Sequence, residues 1–156
     1  MNALRLILLK ARDILGLPSM QEVLPGVYAG NLEDERRTDA LKAHNIRFIL
    51  NVADEIDDPD LFMDSITQAK EGLVDWDSPQ NEDRVQDAIS RLNLSYKLGR
   101  GNILVHCEGG RNRTLYVLAR WWARLTGRDW REVVDEIIAK RPEMALHDWM
   151  KKQGPK

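Results

Sequence analysis

The sequence predicts an α/β domain: a central, largely parallel sheet of about four to five strands flanked by helices. Three observations lead there. Two short apolar runs rich in β-branched residues, at 47–53 and Asn102–His106, read as buried strands. Amphipathic helical patterns alternate with such runs, which parallel strands joined by crossover helices require. Finally, 156 residues with 43% apolar and 31% charged content suffice for one domain with its own core and leave no room for a second of ordinary size.

In chain order, residues 1–15 place Leu4, Leu8, Ala11 and Leu15 at helical spacing, with Arg5, Lys10 and Arg12 between them. Gly16 and Pro18 stop the pattern. Segment 1–19 is thus expected to be an amphipathic helix packed on the domain's core, with a membrane-surface or partner-binding helix as the alternative, and 20–156 as the single domain proper. Charge recurring within the apolar run speaks against a secretory signal. Extended segments at 22–24 and 27–29 flank a Pro25-Gly26 turn. Residues 31–44 read as a helix, and 54–60 as an acidic loop after the strand at 47–53. Leu73, Val74 and Trp76 suggest a further short strand ending at Asp77-Ser78-Pro79. Val85, Ala88, Ile89, Leu92 and Tyr96 mark a long amphipathic helix closed by Gly99 and Gly101. After the strand Asn102–His106 come a glycine-containing loop and a helix over 113–125. Asp129 suits the N-cap of a helix reaching Lys140, and 143–151 supplies a last helix.

Composition excludes several classes. A formal charge of −2 argues against a generally basic nucleic-acid coat. A single cysteine, Cys107, rules out a disulfide framework and any multi-cysteine metal centre. No apolar run approaches the ~18 residues of a membrane span, so a cytoplasmic protein without stable membrane insertion is expected. The charge is unevenly distributed: eleven acids against Lys70 alone between Asp54 and Asp83, but fourteen bases against seven acids from Arg91 onward. A cleft in the C-terminal half would therefore carry a positive bias suited to an anionic substrate.

The lone thiol lies in Val105-His106-Cys107-Glu108-Gly109-Gly110-Arg111-Asn112-Arg113-Thr114, where a buried strand ends and a helix begins. In parallel α/β sheets this edge is where ligands bind. Gly109 and Gly110 let the backbone turn sharply, and backbone N–H groups beside a helix N-terminus make a cradle of phosphate size. Arg113, six residues after Cys107, adds a guanidinium able to grip two phosphate oxygens in parallel. That same field would favour thiolate over thiol, so one device binds phosphate and charges the sulfur.

His-Cys-x5-Arg-Thr resembles the signature of the cysteine-dependent protein-tyrosine-phosphatase superfamily, in its small dual-specificity branch. Leu24-Pro25-Gly26-Val27-Tyr28-Ala29-Gly30 is similar to that branch's opening segment. Residues 46–53 resemble its first long strand, and Arg141-Pro142 the pair preceding its closing helix. The resemblance covers about residues 22–152 and leaves the N-terminal helix outside. It implies a metal-independent phosphomonoester hydrolase, without cofactor, that forms a cysteinyl-phosphate. Cys107 would be the nucleophile, Arg113 the holder of the equatorial oxygens, Thr114 the hydroxyl stabilising the departing thiolate, and His106 an orienting residue behind the loop. Glu108, Gly109, Gly110, Arg111, Asn112 and Arg113 would line the substrate site. The general acid would be Asp77, thirty residues before Cys107, with Asp75 as the competitor.

The expected partner is a phosphoprotein or phosphopeptide. Glu108 places negative charge at the loop mouth, unlike the lysine-flanked loops of phosphoinositide phosphatases. Asn112-Arg113-Thr114 is also similar to the loop of RNA 5′-triphosphatases of the superfamily, which keeps 5′-phosphorylated RNA as an alternative substrate. An inactive phosphate-binding module is the remaining alternative. His44 and His147 have no spacing that makes either a ligand. One of the adjacent Trp121 and Trp122 should be core.

Overall fold

A computed structural model describes residues 2–15, 19–74, 79 and 81–155. Five strands form one sheet: β1 (Gln21–Leu24), β2 (Val27–Gly30), β3 (Ile46–Ala53), β4 (Thr67–Leu73) and β5 (Asn102–His106). Their order is β1-β2-β5-β3-β4, and every pairing is parallel except β1 with β2. The expected largely parallel sheet is therefore present. Gly30 and Asn51 both lie opposite His106, so β2 and β5 end together, β3 runs two residues further, and Cys107 emerges at the C-terminal edge of the central strand.

Side chains alternate across the sheet as strand geometry requires. Leu50, Val52, Ile103 and Val105 face a large core closed by α3 (Glu82–Leu98), α4 (Asn112–Thr126) and α5 (Trp130–Lys140). Ile49 and Leu104 face a smaller core with Leu41 of α2 (Thr38–Ala43). The signalled caps form: the Asp129 side chain accepts from the backbone N–H groups of Arg131 and Glu132, while Gly99 closes α3 in the left-handed region at φ 61°. Trp121 is the buried member of its pair and packs edge-on to Tyr96 at 5.1 Å.

Four expectations are corrected. Residues 31–44 are not one helix but a single 3-10 turn at Asp34–Arg36 followed by α2. The Asp34 carboxylate, accepting from the backbone of Ser19, Met20 and Asn31, fixes a non-helical corner there. The strand expected around 73–76 is β4, which runs earlier and ends at Leu73. Being an edge strand with only its last residue buried, it has no apolar alternation to read. The last helix, α6, is Asp148–Gln153 and shorter than the 143–151 pattern suggested. Finally, α1 (Ala3–Ile14) forms, but its apolar face does not lie on the core: Leu4, Leu8 and Leu15 are 65%, 61% and 68% exposed. An ion pair from Arg12 to Glu143 at 3.1 Å ties it to the domain.

Glu82, at the start of α3, accepts from Arg120 of α4 at 2.6 Å and 3.1 Å, and also from Gln86 and Gln153. The Arg120 hydrogen bonds, opposed in part by burial, lower the Glu82 carboxyl to about 2. A depressed carboxylate stabilises the fold above its ordinary value and ceases to do so as pH falls through its folded value. In urea denaturation, Glu82→Gln should be less stable than wild type near neutral pH. That gap should close as pH falls from 4.5 to about 2. A gap that stays open across the window contradicts this role.

Candidate active site

The site is built on the strand-loop-helix passage from β5 into α4. Cys107 is 3% exposed and Thr114 is fully buried in the first turn of α4. The Thr114 hydroxyl donates to Cys107 Sγ at 3.2 Å. The loop between them is held from several sides. The Glu108 carbonyl accepts from the Leu32 N–H at 3.0 Å, which joins the loop to the end of β2. The Gly110 carbonyl accepts from Arg141 Nε at 3.1 Å. Asn112 Nδ2 donates to the Ala145 carbonyl at 2.8 Å.

Gly110 is the position where glycine is obligatory. Its φ is +64°, and a Cβ there would lie 2.1 Å from the Gly30 carbonyl oxygen, far inside van der Waals contact. The loop therefore packs backbone to backbone against the end of β2. Gly109 has no such constraint, since its nearest neighbours are the Arg111 side chain at 3.7 Å.

Arg113 is 1% exposed and faces the loop beyond β3. Its two terminal nitrogens donate to the two Glu55 oxygens at 2.6 Å and 2.7 Å, a bidentate fork, and Nη1 also donates to the Leu73 carbonyl at 3.0 Å. The Arg113 hydrogen bonds hold the Glu55 carboxyl below the usual carboxylate range. Glu55 is 46% exposed, so one partner of this fork is buried and fixed while the other borders solvent.

His106 points through the opposite face of the sheet. Its Nδ1 lies 3.2 Å from the Cys107 carbonyl and its Nε2 lies 2.9 Å from Glu35 Oε2. The structure thus brings together Cys107, Gly109, Gly110, Arg113 and Thr114, with Glu108, Arg111 and Asn112 around the rim and His106 behind. Asp75, Trp76 and Asp77 lie outside the described residues. His44 ends α2 and packs against the Tyr28 ring, while His147 sits at the N-cap of α6.

Sequence reasoning missed Glu55 and Glu35. Glu55 is hidden in a run of acids that reads as a solvated face. Only the rule that C-terminal sheet edges carry sites singles out an acid just past β3. Nothing in the sequence distinguishes Glu35 from its charged neighbours.

The chain is 29% identical over 123 residues to mouse dual specificity protein phosphatase 15, covering 79% of this chain and 51% of that protein. It is 26% identical over 122 residues to zebrafish dual specificity protein phosphatase 22-A, covering 78% and 57%. The chain spans about half the length of the curated relatives it matches. Among solved structures, DUSP15 superposes with a TM-score of 0.74 at 27% identity, covering 86% of this chain and 83% of that one. Human DUSP28 superposes with a TM-score of 0.76 at 16% identity, covering 87% and 90%. No family model matches the chain. The fold is that of the cysteine-dependent protein-tyrosine-phosphatase superfamily, and by sequence the chain is a relative of the small dual-specificity phosphatases.

Gly110→Ala should force the loop away from β2. A lowered Tm in thermal melting is the expected outcome. Gly109→Ala, which meets only a flexible side chain, should melt close to wild type. Equal behaviour of the two variants contradicts the packing described.

Proposed function

We propose that the chain hydrolyses phosphomonoesters of phosphoproteins through a cysteinyl-phosphate, without a metal. The observation that carries this reading is the Thr114 hydroxyl on Cys107 Sγ at 3.2 Å beside a buried, fork-presenting Arg113. A buried thiol that accepts from a hydroxyl, just before a helix whose first turn carries a buried guanidinium, suits a phosphate-directed nucleophile.

In the first step the Cys107 thiolate attacks phosphorus and the bond to the leaving oxygen breaks. Arg113 and the loop N–H groups stabilise the equatorial oxygens as charge builds on them. The leaving oxygen takes a proton from a carboxylic acid, the role assigned to Asp77 with Asp75 as its alternative. Leu73, whose carbonyl accepts from Arg113, ends β4 and precedes Asp75 by two residues and Asp77 by four in the sequence. In the second step water attacks phosphorus and gives its proton to the same carboxylate. The S–P bond breaks, and the Thr114 hydroxyl stabilises the departing thiolate.

Glu55 occupies the Arg113 fork in the structure. A phosphate dianion needs the same donors, so substrate entry displaces Glu55 toward the solvent it already borders. The dominant cost of leaving it in place would be repulsion between two anions on one guanidinium.

Initial rates with a phosphotyrosine peptide, a phosphothreonine peptide and a 5′-triphosphorylated RNA, in the presence of a chelator, test the reading. Both peptides should release phosphate, and Cys107→Ser should lower that release at least about 1,000-fold. Release from the RNA alone would instead favour the reading suggested by Asn112-Arg113-Thr114. No turnover by folded, reduced protein would leave a phosphate-binding module. Asp77→Asn should slow the peptides far more than an aryl phosphate with an acidic phenol, which needs no protonation on leaving. If Asp75→Asn shows that pattern and Asp77→Asn does not, the assignment passes to Asp75.

A further inference from the structure

Helix α1 stands on the domain by one edge. It begins at a cap, the Asn2 side chain accepting from the Arg5 N–H at 2.8 Å. Of its described side chains only Arg12 is partly buried, through the ion pair to Glu143. At about 100° per residue, Leu4, Ile7, Leu8, Ala11, Ile14 and Leu15 fall within one arc of about 120°. Ile7 and Ile14 are 61% and 83% exposed, and the three leucines are comparably open. Neither core of the domain includes any of the six. A contiguous aliphatic stripe that folding leaves in water marks a contact surface.

Charge and shape say what covers it. Arg5 and Arg12 border one edge of the arc and Lys10 the other, and residues 1–15 contain a single acid, Asp13. An apolar stripe with cations along both edges matches the layering of an anionic bilayer surface, with acyl chains beneath the stripe and headgroups level with the cations. The stripe is a convex ridge, because the described side chains beside it are exposed except for Arg12. A fluid lipid surface closes over a ridge without a preformed groove. A second copy of the chain fits worse: two such stripes packed together bring Arg5 and Lys10 of one helix against the same cations of the other. With 12 residues α1 is far too short to span, and no helix among the described residues is long and apolar enough to cross a membrane. Such contact is interfacial and reversible.

We propose that α1 is an interfacial anchor that lays this aliphatic stripe into the surface of an anionic bilayer, with Arg5 and Lys10 at the headgroups and Arg12 tying the helix to the domain. The tie meets the domain near the catalytic loop, since Glu143 also lies 3.5 Å from Arg141, whose Nε donates to the Gly110 carbonyl. The anchor therefore joins the domain at the end that carries Cys107. Binding is a property of α1 and stands apart from the phosphatase reading.

Sedimentation of the full chain with large vesicles tests this, comparing phosphatidylcholine alone with an equimolar mixture of phosphatidylcholine and phosphatidylserine. The chain should bind the mixed vesicles at least about 10-fold more tightly than the neutral ones, and raised salt should remove most of that preference. Leu4→Gln/Leu8→Gln, which alters no charge and no core contact, should weaken binding to the mixed vesicles at least about 10-fold with an unchanged Tm. Arg5→Gln/Lys10→Gln should weaken it by a similar factor and leave the binding to neutral vesicles as it was. Equal binding to both kinds of vesicle overturns the proposal. So does mixed-vesicle binding that survives Leu4→Gln/Leu8→Gln, which would move the lipid contact to the basic C-terminal half. No binding to the mixed vesicles overturns it as well. If the wild type then self-associates in light scattering and Leu4→Gln/Leu8→Gln does not, the stripe is an interface between copies; if it stays monomeric, an acidic protein surface takes the bilayer's place. Vesicle binding is read without turnover, so an inactive chain that binds would refute the phosphatase reading and leave the anchor standing.

Discussion

The geometry of the site depends on one buried guanidinium. Arg141, beyond α5, has no solvent exposure, and burial pushes its pKa down. Its Nε donates to the Gly110 carbonyl, while its terminal nitrogens reach the Ser19 carbonyl at 2.5 Å and the Ser19 hydroxyl at 2.8 Å. Ser19 passes the constraint on, because its N–H and hydroxyl both donate to Asp34. Asp34 in turn accepts from the Asn31 N–H, one residue past β2. A continuous chain of charged hydrogen bonds thus runs from the loop carrying Cys107, around the end of β2, to the turn that carries Glu35. Such bonds are among the stronger single contacts in a protein, and leaving a buried guanidinium unpaired would cost several kcal/mol, of order ~3–5. The close approach of Gly110 to the Gly30 carbonyl is the steric counterpart of this tie.

Two carboxylate pairs flank Cys107. On the solvent side Arg113 is matched by Glu55, and behind the sheet His106 is matched by Glu35. The two pairs differ in what they can do. Glu55 is half-exposed and borders solvent, which fits the exchange for a substrate anion proposed above. Glu35 is buried and accepts from Gln68, so it cannot leave and acts as a fixed support. Exposure, rather than distance, separates the exchangeable partner from the permanent one.

Much of this was legible in the residues. The strand at Asn102–His106, the cap at Asp129, the closing Gly99 and the Cys107-to-Thr114 loop all carry local signals that the fold obeys. The misread segments were those where a long-range contact outweighs local pattern. Residues 31–44 look helical until Asp34 is seen accepting from Ser19 and Met20, fourteen or fifteen residues earlier in the chain. Edge strand β4 buries only Leu73, so periodicity had nothing to report. The supporting acids Glu35 and Glu55 were illegible for a related reason: their meaning lies in partners on other elements. In α1, spacing gave the helix but could not say that its apolar face stays exposed.

The central claim is that Cys107 becomes covalently bonded to phosphorus during turnover. Acid quenching of the enzyme within one turnover of a slowly hydrolysed aryl phosphate, followed by peptide mass mapping, reads this directly. The account predicts a phosphate on the peptide containing Cys107, absent from Cys107→Ser and decaying at the rate of phosphate release. Phosphate release in a single turnover, with no phosphorylated Cys107 at any quench time and no burst of phenol, would contradict it.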